Sequence, residues 1–297
     1  MKLIFTLIIF CCGSHLLKAQ ITATIKNPTD QKPIPYVNIW VENENIGVTA
    51  DENGMFIISV PANIKLVFNA LGYNDKTIEA SKINGIVYLI PKIFELKEVK
   101  VTNSEVTERK VGSFLEENIK NAFANTSNNP IIYARYFPYD SLFQKTPYLK
   151  SIKTTVFSFT KKSVFNVRLY SKNDDGSPGL ELTNQNILIE IKKGYTSPEI
   201  NITKLNIPFP ENGLFVGLEA LIIETNRYEF THLLNPPNYK PNEKKNQYSP
   251  QFRNVILKDG LYTWMYSKGK WEIVSKNWPE NHMFKYSKLA VELTLTN

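Results

Sequence analysis

Cysteine is all but missing: the chain's only two, Cys11 and Cys12, stand side by side near its start. Nothing beyond them can form a disulfide, act as a thiolate nucleophile or hold a metal through sulfur. Histidine is scarce too, with 3 in 297 residues. Beyond His15 only His232 and His282 occur, in neither an HExxH nor an HxxE pattern, so the ligand set of a zinc peptidase is not in view. No Gly-x-Ser-x-Gly elbow and no glycine-rich phosphate loop is present, which removes the serine-hydrolase and P-loop readings. Glycine is sparse, 13 residues against 15 Tyr and 17 Phe. That balance disfavours glycine-rich or alanine-rich helical architectures and favours strands with packed aromatic faces. Past residue 12 no apolar run approaches the ~20 residues of a membrane-crossing helix.

What is present begins with an export signal. Lys2 gives a charged start, residues 3–12 an apolar stretch, and Leu17-Lys18-Ala19 a cleavage end with a small last residue. Residues 1–20 are therefore expected to be a signal peptide. Both cysteines lie inside it, so the mature chain would have none. Phe10 precedes Cys11 where a lipoprotein signal would place a small residue, so a lipid anchor is not expected. An exported chain without disulfides relies on core burial, which is feasible at this length and fits the periplasm, outer membrane or surface of a Gram-negative bacterium. Loss of Lys2 and Lys18 lowers the formal net charge from +7 to +5. Residues 21–100 carry a net −1 and residues 101–297 a net +6, with the lysines scattered singly or in short pairs. Such a surface suits anionic envelope polymers and does not form a nucleic-acid site.

Residues 21–101 are short alternating runs separated by turn residues. Val37, Ile39 and Val41 alternate with Tyr36, Asn38 and Trp40, and runs at 55–60, 64–68 and 86–90 follow at sandwich spacing. About seven strands in this span predict a small β-sandwich. Asp51-Glu52-Asn53-Gly54 is turn chemistry, with short polar side chains that bond the local backbone and a Gly for positive φ. Four blocks in this span, KPIPYVNI at 32–39, GVTADENGMF at 47–56, LGY at 71–73 and LKEV at 96–99, resemble the carboxypeptidase-like regulatory domain of Bacteroidetes envelope proteins. The resemblance implies a transthyretin-like, Ig-like sandwich that serves as an accessory module and carries no catalytic residues of its own.

Residues 102–130 read as a linker and a short helix. Ser113-Phe114-Leu115-Glu116 fits a capping box, and Val111, Phe114, Leu115, Ile119, Ala122 and Phe123 share one helical face. Residues 131–297 again read as strands, at 131–137, 149–159, 164–170, 187–191, 200–207, 214–224, 261–266 and 289–295. The expected fold is thus mostly β: the N-terminal sandwich, a short amphipathic helix, and a second, larger sandwich of jelly-roll type.

Chemistry is harder to place. Asn173-Asp174-Asp175-Gly176 resembles a calcium-loop fragment, but the twelfth position counted from Ser171 is Leu182, which supplies no carboxylate, so a hairpin turn is expected. Glu219 and Glu224 are an odd number apart on one strand, with Glu229 beyond, and point to opposite faces, which argues against a glycosidase pair there. Residues 232–253, with Pro236, Pro237, Pro241 and Pro250, read as a long functional loop. Its Tyr239, Tyr248 and Phe252 could form a stacking edge with Trp264, Trp271 and Trp278. Aromatic faces suit the C–H surfaces of sugars, and neighbouring Asn and Lys side chains can bond hydroxyls. The expected function is a non-catalytic cell-envelope protein that binds a glycan or an envelope protein, without cofactor, metal or nucleic acid. The alternatives are a structural accessory subunit of an outer-membrane complex, or a hydrolase whose carboxylates meet only in the fold.

Overall fold

The computed structural model of the chain describes residues 18–93, 106–125, 128–231, 244–276, 279, 282 and 285–297. Residues 1–17 of the expected signal lie outside this set. The alternation in the first part of the sequence gives seven strands: β1 (Lys18–Lys26), β2 (Asn38–Val41), β3 (Gly47–Thr49), β4 (Met55–Pro61), β5 (Lys65–Asn69), β6 (Lys76–Glu79) and β7 (Ile86–Tyr88). They form two sheets, β4-β1-β7 and β3-β2-β5-β6. In β4, Phe56, Ile58 and Val60 turn inward while Met55 and Ile57 face solvent, the period of a half-buried strand. The inward residues meet Ile39, Leu66 and Phe68 of the facing sheet. The turn before β4 is held as its sequence dictates: the Asp51 carboxylate accepts from the amides of Asn53 at 2.9 Å and Met55 at 2.8 Å. Gly54 sits at φ +70°, where a Cβ would stand 2.9 Å from the carbonyl oxygens of both Ile25 and Ile34. Gly54→Ala is therefore expected to cost more than about 1 kcal/mol, read as a lower denaturation midpoint.

The described residues of the second part form fifteen strands. They are β8 (Glu108–Val111), β9 (Ile119–Asn125), β10 (Ile131–Phe137), β11 (Tyr148–Thr154), β12 (Val156–Lys172), β13 (Pro178–Glu181), β14 (Ile187–Thr196), β15 (Glu199–Asn201), β16 (Leu214–Ala220), β17 (Arg227–Thr231), β18 (Lys244–Ile256), β19 (Trp264–Ser267), β20 (Lys270–Ile273), β21 (Ser287–Leu289) and β22 (Val291–Thr296). One sheet of eleven strands follows the order β17-β18-β12-β16-β10-β19-β20, with β13 and β14 added to β12 and with β9 and β21 added to β18. A four-stranded sheet, β15-β11-β22-β8, supplies the opposite layer. Phe165, Val167, Val216 and Leu218 from the large sheet share one core with Leu149, Ile152, Leu293 and Leu295 from the small one. The protein is thus mostly β, as expected. No helix among the described residues is long and apolar enough to cross a membrane.

Two sequence expectations are corrected. Residues 113–124 form no amphipathic helix: a 3-10 turn at Glu116–Asn118 leads into strand β9. Of the apolar residues that share a helical face in the sequence, Ile119, Ala122 and Phe123 enter a ladder with β18, where Phe123 pairs with Phe252 and stacks on Tyr133 at 4.7 Å. Pairing with a long neighbouring strand overrides a short helical period. Residues 244–253 are likewise not loop but part of β18, with Gln247, Ser249 and Phe252 buried. Pro250 is accommodated where the β18–β9 register shifts between Tyr248 and Phe252, a position that needs no ladder donor.

Candidate binding cleft and the buried ion cluster beside it

The two faces of the large sheet have different chemistry. Alternate residues of β10, β12 and β16 fill the core, and the intervening ones line up in rows on the outer face. Tyr136, Phe215 and Tyr170 form one row, Ala134, Gly217 and Arg168 the next, and Ile132, Glu219 and Asn166 the third. This face therefore grades from aromatic to charged across three strands.

At the charged end Glu219 is 0% exposed. Its carboxylate accepts from Asn166 Nδ2 at 2.8 Å, from Arg168 Nη1 at 3.2 Å, and from Asn38 Nδ2 of the first sandwich at 2.5 Å. Arg168, 3% exposed, also pairs with Glu181 through Nη2. Burial works against the guanidinium charge, but the Glu219 and Glu181 carboxylates hold Arg168 above its ordinary range. The Asn38 carbonyl accepts from Thr49 Oγ1 at 3.1 Å, and the same hydroxyl accepts from the amide of Ile222 at 2.9 Å. A continuous polar chain thus fastens the first sandwich onto the second. Two carboxylates do converge in the fold, on one buried guanidinium. Glu224 and Glu229 lie elsewhere on the surface, paired with Arg227 and Lys244.

At the aromatic end, Lys268 and Gly269 both adopt positive φ, +53° and +80°, as a two-residue hairpin turn requires. The turn sets Tyr266 opposite Trp271 and Trp264 opposite Ile273. Trp271 packs edge-on against Tyr170 at 5.3 Å and contacts Tyr266 at 5.2 Å. Trp264 lies edge-on to Phe215 at 6.4 Å, and Tyr266 to Trp40 of the first sandwich at 6.3 Å. Burial raises the pKa of the Tyr170 and Tyr266 phenols, so both stay neutral. In front of these rings lies a cleft of about 370 Å³ lined by Trp264, Trp271, Glu272, Ile273 and Lys276. Its two partly buried indoles are backed by further rings, which fixes their orientation. Glu272 is held below the usual carboxylate range by its hydrogen bond from Lys270 and offers an acceptor, while Lys276 offers a donor.

Of the six aromatics singled out from the sequence, the fold brings Trp264 and Trp271 into this cleft. Tyr239 and Trp278 lie outside the described residues. Tyr248 and Phe252 are on β18, separated from β19 by β12, β16 and β10. Phe252 is a core residue, 1% exposed, and presents no stacking face to solvent. Tyr266 was missed, although its alternation with Trp264 and the Lys-Gly turn before Trp271 were legible. The backing from Tyr170 and Phe215 had no local signal. The Asn173–Gly176 segment is a hairpin turn between β12 and β13, its Asp175 carboxylate taken by the amide and hydroxyl of Ser177 at 2.9 and 2.6 Å. Among the described residues no group of three or more His, Cys, Asp or Glu is placed to hold a metal ion.

Residues 21–112 match the family model of the CarboxypepD_reg-like domain. The match runs past the seven-stranded sandwich into β8, which pairs with β22 of the second part. Among solved structures, the chain is similar to a clostridial cysteine protease, Cwp84, after propeptide cleavage. Identity there is 12% and the TM-score 0.36, over 87% of this chain and 51% of that one. It is also similar to the cysteine protease and lectin-like domains of Cwp84, a surface-layer-associated protein of Clostridium difficile. That comparison gives 12% identity and a TM-score of 0.33, over 95% of this chain and 59% of the other. The chain therefore spans between half and three fifths of the length of those structures. No curated protein matches it.

Proposed function

We propose that this chain, with its carboxypeptidase-regulatory-like domain at residues 21–112, is an exported, non-catalytic cell-envelope protein that binds carbohydrate in the Trp264–Trp271 cleft. The observation that carries this reading is the cleft itself: two partly buried indoles on paired strands, backed by Phe215, Tyr170 and Tyr266, with Glu272 and Lys276 beside them. A sugar ring has apolar C–H faces for the indoles and hydroxyls that both donate and accept. The first sandwich supports the cleft through Trp40, which packs on Tyr266. The test is titration of the mature protein with an array of envelope, plant and host glycans, followed by intrinsic Trp fluorescence. Trp264→Ala and Trp271→Ala are each expected to weaken binding at least about tenfold, as loss of an aromatic anchor does. Unchanged affinity in both variants would remove the cleft from the reading, and turnover of a bound glycan, abolished by one point substitution, would overturn its non-catalytic part.

A further inference from the structure

A second cleft, of about 400 Å³, opens on the large sheet among Glu116, Ile119, Thr155, Tyr195, Thr196, Ser197 and Arg253. It is built from four separate stretches of chain and shares no residue with the tryptophan cleft. Two of its polar atoms are buried without a hydrogen-bond partner: Arg253 Nε and Thr196 Oγ1. Arg253 forms no ion pair with any described carboxylate; its guanidinium lies over the Tyr195 ring at 5.4 Å. Arg253 is the one cationic side chain in the lining of this cleft and pairs with no described carboxylate, so its guanidinium is a place where an anion fits. Thr155 Oγ1 and Ser197 Oγ, 3.0 Å apart, add hydroxyls on the same wall. Tyr195 is 69% exposed and continues into Phe157 at 4.6 Å and Phe159 beyond it, giving a ring platform at the mouth.

We infer that this cleft is a subsite for an acidic sugar of the uronate class, whose carboxylate pairs with Arg253 and whose ring lies against Tyr195. The charges select this class. The lining holds one cation, Arg253, and one carboxylate, Glu116, so a dianionic phosphate would meet a single positive group and a repelling neighbour. A uronate brings one negative charge for Arg253, hydroxyl donors for Glu116, and acceptors for Thr155 and Ser197. The volume suits one or two pyranose rings, so one uronate of an oligosaccharide sits on Arg253 while its other carboxylates extend past the mouth into solvent.

The inference is independent of the tryptophan cleft and is tested by calorimetric titration of the mature protein with a galacturonate trisaccharide, its methyl ester and acetate. The expected result is saturable binding of the trisaccharide, with the ester and acetate each weaker by at least about tenfold, the effect of losing a charged hydrogen bond or the ring contact. Arg253→Gln should weaken the trisaccharide by a similar factor. Tyr195→Ala, at a position 69% exposed, should weaken it less, and Trp264→Ala should leave it unchanged. Equal binding of acid and ester, binding of acetate as tight as the trisaccharide, or full affinity in Tyr195→Ala and Arg253→Gln would each overturn it. So would the absence of any heat of binding in the unsubstituted protein. Loss confined to Trp264→Ala would assign the acidic sugar to the other cleft.

Discussion

Glu219→Ala is expected to destabilise the protein by about 3–5 kcal/mol, the cost of removing one partner of a buried ion pair. The carboxylate is 0% exposed, so solvent screening does not soften the loss. Its removal leaves Arg168 with Glu181 alone, and takes the acceptor from Asn166 Nδ2 and from Asn38 Nδ2. The last of these matters beyond the second sandwich, because Asn38 is one of the links that hold the first sandwich, beside Thr49 on Ile222 and Trp40 on Tyr266. The denaturant midpoint should fall sharply, and cleavage by protease between the two sandwiches should become easier. Arg168→Met combined with Glu219→Leu and Glu181→Leu should recover much of the stability, since replacing all three members of the cluster by apolar residues leaves no uncompensated charge. A loss under about 1 kcal/mol for Glu219→Ala would mean that the cluster is hydrated in solution and does not fasten the domains.

Phe252→Ala is expected to cost about 3–5 kcal/mol, the range for deleting a buried aromatic ring. Phe252 is packed between Phe165 at 5.7 Å and Tyr133 at 6.4 Å in the core of the second sandwich, and its backbone lies in the central part of β18. Glycan affinity at the Trp264–Trp271 cleft should remain that of the unsubstituted protein at temperatures where the variant is folded, because three strands intervene. The informative comparison is therefore a paired measurement, an unfolding curve and a fluorescence titration on the same variant. A stable Phe252→Ala protein that had lost its ligand would restore Phe252 as a contact residue and displace the core assignment.

Much of the architecture was legible because it rests on short-range rules. Period-two alternation gave the strand at 55–60 and the sandwich around it, since a strand with one wet face has no other way to bury Phe56, Ile58 and Val60. Strand β10 was read with its observed bounds, 131–137. Asp51 and Gly54 built their turn as their side-chain chemistry requires, and so did Asp175 and Gly176. The same local rules failed for residues 119–125, where a helical period was real in the sequence but β18 offered strand pairing instead.

The sites belong to the other category. Trp264 and Trp271 stood out by residue type, yet what makes a cleft of them is the ring backing of Phe215 and Tyr170, which depends on strand order. Glu219 and Asn38 are 181 residues apart, and no periodicity could pair them. Arg253, Tyr195, Thr155 and Glu116 likewise meet only because β18, β12 and β14 are neighbours and the turn before β9 brings Glu116 beside them. By itself the sequence determined that the chain is strand-rich, that its first part is a sandwich of a recognisable kind, and that disulfides play no part after residue 12. Tertiary structure alone decided which aromatics are core and which line a cleft, and which charges are satisfied. A strand's own residues set which of its faces is apolar, but the partner on each side is chosen by sheet register, which is a property of the whole chain.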